Sequence, residues 1–234
     1  MNVDLYNQLI GQFKLITEPL WELYGSYNGY SGFPILGTIL LGLIGSTYPS
    51  QIAYHLGAIT YITSQMRYKS NWLDTVISFF MGKLAGVYLI IGIYLWSEGD
   101  WLEAFLNGIR NLSIPLYLLL SISFFKATNR TKSLSFYKGF LISFMLSLIM
   151  DPKVFSIINL FTPWILNESL FLGWILPFLY VFASFVPIFI FSILGYGFNL
   201  DIFLKKNSTK KQMHYFFGFA LIILAFNQLF LYWF

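Results

Sequence analysis

The residues that could do chemistry in this chain are few, and the most conspicuous lie inside long apolar runs. Residues 37–63 read GTILLGLIGSTYPSQIAYHLGAITYIT, with Pro49, Ser50, Gln51 and His55 in the middle. Proline lacks an N–H donor and clashes with the carbonyl four residues back, so it interrupts a helix. In hydrocarbon, the freed carbonyls and these polar side chains need partners. Polar groups at that depth are expensive, and a working site is the usual reason for them. Gln51 and His55 are four apart and share a helix face if the helix resumes after Pro49. That spacing suits a patch binding a substrate, an ion or a proton, and it equally suits a hydrogen-bonded contact between helices.

Residues 139–166 repeat the arrangement, with Asp151, Pro152 and Lys153 in the centre, and Lys83 lies inside the apolar run 72–96. Asp151 is expected to pair with Lys83 or Lys153. A structural ion pair, a role in ion or substrate passage, and a lysine that snorkels to an interface are the three readings. The candidate site is therefore Ser50, Gln51, His55, Asp151, Lys153 and Lys83, with Pro49 and Pro152 as the helix breaks.

Much chemistry is excluded. The chain has no cysteine, so it makes no disulfide, runs no thiol exchange by itself and offers no thiolate to a metal. With two histidines as well, no metal site is expected, and no cofactor motif is present. There is no G-x-S-x-G and no P-loop, and no oxyanion device is readable beside Ser50 and His55. These absences lean away from an enzyme.

The elements that must position these residues follow from composition. The chain has 234 residues, 57% apolar and 10% charged, against about 25% charge in a soluble domain. This implies an all-α integral membrane protein whose first partner is the lipid bilayer. Six spans are expected: 34–66, 72–96, 112–125, 139–166, 170–196 and 215–233. The first needs about 50 Å of helix for a core of roughly 30 Å, so it tilts, kinks or divides at Pro49. Pro177 and Pro187 are further kink sites in the fifth. Gly82 and Gly86 form a small-xxx-small pair that lets another helix approach closely. Residues 1–33 read as a surface amphipathic helix that stops before Pro19, followed by a loop, with no cleavable signal peptide of the usual form.

The loops after spans 1, 3 and 5 hold 10 of the 14 Lys and Arg, and the opposite-side segments hold 7 of the 10 acids. The positive-inside rule puts those basic loops in the cytoplasm and both termini outside. The +4 net charge thus belongs to topology and lipid headgroups, and nucleic acid is not expected as a partner. Aligning Pro49 with Pro152 aligns spans 1–3 with spans 4–6. The expected organisation is a segment 1–33, a three-helix repeat 34–126 and a second repeat 127–234. An odd number of spans per repeat inverts the second relative to the first, which places a site near the membrane midplane.

The run GLIGSTYPSQIAYHLGAITYI, with its second proline at Pro152, resembles the CcdA/DsbD family of cytochrome c biogenesis and thiol-disulfide interchange proteins. The resemblance implies two inverted three-helix halves in the bacterial cytoplasmic membrane, each with a Pro-Cys redox position. Here Ser50 and Lys153 stand where those cysteines would be, and neither can attack a sulfur. The family's electron transfer is therefore not carried over. The reading is a cysteine-free relative that transports a small molecule or ion through its polar midplane site. The alternatives are a non-catalytic subunit that binds a membrane or extracytoplasmic protein partner, and electron transfer through a partner's cysteines. If Asp151 takes part in passage, Asp151→Asn is expected to abolish function at unchanged expression; unchanged function would remove it from the site.

Overall fold

The structure, a computed structural model, describes residues 18–20, 22, 34–66, 72–96, 108, 114–122, 125, 136–148, 152–167, 170–197, 212, 215–216, 218–223, 225–226 and 229. Every regular element among them is helical. The long ones are α1 (Pro34–Ser46), α2 (Pro49–Met66), α3 (Trp72–Trp96), α4 (Phe136–Leu148), α5 (Pro152–Asn167) and α6 (Leu170–Gly197). Helical backbone also covers 114–122 and parts of 215–229. α3 and residues 173–195 of α6 are each long and apolar enough to cross a membrane, and α1 with the first part of α2 is a bent pair that passes the same test.

The expected break before Pro49 is present, and a proline opens a helix at both expected positions; residues 149–151, which precede the second, lie outside the described residues. α2 begins at Pro49 and α5 at Pro152. The first helical position is where proline's missing N–H is not required. The chain before Pro49 disposes of its loose carbonyls locally. The amides of Thr47 and Tyr48 donate to the carbonyls of Ile44 and Gly45 at 3.1 and 3.3 Å. The Ser46 and Thr47 hydroxyls donate to the carbonyls of Leu43 and Ile44 at 2.6 and 2.7 Å. The Ile52 amide donates to the Tyr48 carbonyl at 2.8 Å and starts the α2 ladder. The orphan carbonyls of a helix end thus find partners without water.

Three further expectations concern where the helices run. Pro177 and Pro187 are expected kink sites in span 5, and α6 stays helical through both; membrane helices accept such prolines where neighbouring groups satisfy the freed backbone. Glu18, Pro19 and Leu20 are helical, and residues 1–17, on which the expected surface helix falls, lie outside the described residues. Proline's locked φ is itself a helical value. The helix before the second break starts at Phe136, three residues earlier than hydropathy alone suggested.

The chain divides into two compact units, Met1–Ile52 with Met150–Pro187, and Ala53–Ile149 with Ile188–Phe234. In the first, α1 packs against α5. It also meets α6 at glycines. A Cβ on Gly42 would lie 2.5 Å from the Tyr180 carbonyl oxygen and 2.8 Å from the Ala183 Cβ, and one on Gly45 would lie 2.8 Å from the Tyr180 hydroxyl.

In the second unit α4 packs along α3. The seam is built from small residues four apart. Gly139 faces Ser78, Gly82 faces Ser143, and Gly86 faces Ser147. Each step of four on one helix matches a step of four in the same direction on the other, so α3 and α4 run parallel. Small residues on the seam allow the backbones to approach, which is how helices associate where no hydrophobic effect drives them.

On α3 and α6 large apolar side chains face outward and some polar ones are buried among the apolar core. On α3, Leu73, Ile77, Met81 and Leu89 are exposed, whereas Thr75, Ser78 and Lys83 are buried. On α6, Phe171, Trp174, Phe178, Phe182, Ile190 and Ile193 are exposed, and Ser184 and Ser192 are buried. An apolar outside around a polar inside is the arrangement a hydrocarbon solvent demands.

The seam makes a graded prediction. A Cβ at Gly82 would lie 2.7 Å from the Ser143 Cβ and 2.9 Å from the Phe144 amide nitrogen, whereas Gly92 has nothing within 4 Å. Gly82→Ala is expected to destabilise by about 1–3 kcal/mol in detergent unfolding, and Gly92→Ala to be neutral or mildly stabilising. Equal effects would contradict the seam.

Candidate functional site

The most distinctive polar group in the structure is the amine of Lys83. It lies in the middle of the 25-residue α3, about 16 Å along the helix axis from Trp72. The residue is 1% exposed, and Nζ has no hydrogen-bond partner among the described residues. The amine of Lys83 is therefore held inside the protein.

Nζ sits over the Tyr54 ring, 4.7 Å from its centroid. Tyr54 comes from α2 and is 1% exposed. Its hydroxyl lies 2.6 Å from the Ser143 hydroxyl of α4 and 3.3 Å from the Phe79 carbonyl oxygen. Ser143 donates to that same carbonyl. Phe79 is one turn before Lys83 on α3. Three helices thus meet at one carbonyl, which can accept twice. The hydroxyl protons of Tyr54 and Ser143 are spent on that carbonyl and on each other, so the donors left unused belong to Nζ. The His55 ring meets Tyr54 edge-on with centroids 5.8 Å apart.

The electrostatics of Lys83 do not close on what surrounds it. A desolvated cation over an aromatic face gains about 2 kcal/mol. Taking an ammonium out of water costs several kcal/mol even after the protein relaxes. The Tyr54 ring does not compensate. Asp74 is the one acid on α3, and it is exposed in the first turn. The amine needs a further partner or must give up its proton.

The remaining expected site residues are placed as follows. Ser50 and Gln51 open α2, are 8% and 2% exposed, and leave Oγ and Oε1 without a hydrogen-bond partner among the described residues. They fall in the first compact unit. His55 is buried and belongs, with Tyr54, Lys83 and Ser143, to the second. Asp151 lies outside the described residues, as do the side chains of Lys153, Pro49 and Pro152. The structure brings Lys83 and His55 to one tyrosine. Among the described residues no three His, Asp or Glu side chains form a group that could hold a metal ion.

Sequence reasoning missed Tyr54 and Ser143. Tyr54 is one of 16 tyrosines and looks like interfacial aromatic content. A signal for Ser143 was present: Gly139, Ser143 and Ser147 repeat every four residues, as do Ser78, Gly82 and Gly86.

The network predicts coupling. Tyr54→Phe and Ser143→Ala are each expected to cost about 1 kcal/mol in reversible detergent unfolding. The double variant is expected to fall short of their sum by at least about 0.5 kcal/mol. Strict additivity would mean the hydroxyls do not act as one unit. Comparison with protein-family models, with curated proteins and with solved structures finds no match to this chain.

Proposed function

We propose that this chain is a cysteine-free multi-pass membrane protein, similar to the CcdA/DsbD family, that carries a small molecule or ion through a polar site at mid-span. Its six spans form two inverted repeats, 34–126 and 127–234, in the bacterial cytoplasmic membrane with both termini extracytoplasmic. Without cysteine the chain performs no thiol exchange of its own.

One observation carries the functional reading: a lysine amine buried at the centre of an apolar helix, with no hydrogen bond among the described residues. Ionisable groups at such depth mark pathways for ions and solutes.

The repeat reading is supported by an exchange of packing partners. Inversion would equate α1 with α4, α2 with α5 and α3 with α6. In one unit α1 packs against α5 and α6. In the other, α4 packs against α3 and meets α2 through Ser143 and Tyr54. Each half-helix before a break thus sits on the post-break half-helix and the following span of the opposite repeat. The parallel course of α3 and α4 supports the span count as well, since spans 2 and 4 of an alternating chain cross in the same direction.

The test is reconstitution. Proteoliposomes containing the wild-type chain are expected to pass at least one solute from a panel of small salts and neutral osmolytes faster than empty vesicles, read by light scattering. Lys83→Met is expected to lower that rate at least tenfold while retaining helix content. Wild-type vesicles no faster than empty ones, or a Lys83→Met variant as fast as wild type, would contradict the reading.

A further inference from the structure

We infer that the Lys83 amine is the recognition group for a small, singly charged anion, so that the transported or co-transported species is anionic. This rests on the carrier reading, and it names the substrate class of the same site.

The sign of the ligand follows from the unused groups. Nζ offers three N–H donors and no acceptor. No described residue supplies it with a hydrogen-bond acceptor. The hydroxyls of Tyr54 and Ser143 are tied to each other and to the Phe79 carbonyl. A second cation or a neutral donor would meet nothing here that wants it, whereas an anion meets an unshared ammonium in a medium of low dielectric, where charge-assisted hydrogen bonds are strong.

The charge and size of the ligand follow from the walls. One amine neutralises one negative charge, and a dianion would leave a net charge buried. The Tyr54 ring covers one side of Nζ, and its electron-rich face repels an anion, so the ligand approaches from elsewhere. Lys83 is 1% exposed, and Ser143, which holds Tyr54 in place, packs against Gly82, so a ligand beside Nζ has to be small. Chloride, nitrate, formate and acetate fit that description, and a sugar acid such as gluconate does not.

The experiment uses the full chain, purified in a non-ionic detergent free of anionic lipid. Potassium gluconate is exchanged for potassium chloride, nitrate or acetate at constant ionic strength, and the unfolding temperature is followed. The wild type is expected to show a saturable rise of roughly 2–4 °C with at least one of the small anions. Lys83→Arg, which keeps the charge, is expected to retain a rise. Lys83→Met, or Lys83→Gln if the methionine variant does not fold, is expected to show none. A wild type indifferent to the anion, as it would be if a carboxylate of this chain already held the amine, overturns the inference, and so does an undiminished rise in the uncharged variant. A saturable rise in a protein that conducts nothing keeps the anion site and rejects the carrier. Conduction through Lys83 with no rise in any anion rejects the anion site and keeps the carrier.

Discussion

A polar group inside hydrocarbon has to be answered by protein, because no water is there to answer it. Most features of this structure follow from that constraint. The first span is interrupted before Pro49, and there the last carbonyls of α1 are taken up by the Thr47 and Tyr48 amides and the Ser46 and Thr47 hydroxyls. On α3 Thr75, Ser78 and Lys83 turn inward, and Leu73, Ile77, Met81 and Leu89 turn outward. The glycines of α1, α3 and α4 mark where the covering helices come close enough to bury what the lipid cannot solvate. Among the described residues the answer is incomplete at the Lys83 amine, as it is at Ser50, Gln51 and Ser192.

That incompleteness separates a site from a scaffold. Ser78, Ser147 and Thr162 are buried polar groups whose hydroxyls return to a carbonyl three or four residues back on their own helix. Such bonds satisfy the group and leave nothing over. Tyr54 and Ser143 differ in that they join three helices at the Phe79 carbonyl. They fix the aromatic face beneath the Lys83 amine, and they leave the amine itself unsatisfied. A fold that needed only a helix–helix contact would gain nothing from a lysine there, and a methionine would fill the space without the desolvation cost.

The sequence showed the break before Pro49 because proline acts locally: its missing N–H and fixed φ do not depend on tertiary context, and the helix restarts at the residue that chemistry indicated. It showed α3 to the residue because both ends are marked by tryptophan and a change to polar loop. At Pro177 and Pro187, where α6 stays helical, it could mark kink sites and no more, since how far an internal proline disturbs a helix depends on what its neighbours donate, which is tertiary information. Lys83 stood out as a candidate from its depth in an apolar run, and the structure buries it. Tyr54 and Ser143 were not, because their importance lies in meeting across 89 positions of chain, and a tyrosine or serine in a membrane helix is otherwise ordinary. The small-residue pattern on α4 held a clue, but only its partner pattern on α3 gives it meaning.

The claim at the centre is that the Lys83–Tyr54–Ser143 cluster is reached by water and solute during the protein's working motions, although Ser143 is fully buried in the structure. The natural absence of cysteine makes this directly measurable. A single cysteine at Ser143, nearly isosteric with serine, can be challenged in membranes with a small negatively charged methanethiosulfonate, beside a control cysteine at Val87, an equally buried position on α3. The account predicts that the cysteine at 143 is modified at least tenfold faster than the control, and that Lys83→Met removes the difference. Equal inertness at both positions would show a sealed structural knot and contradict it.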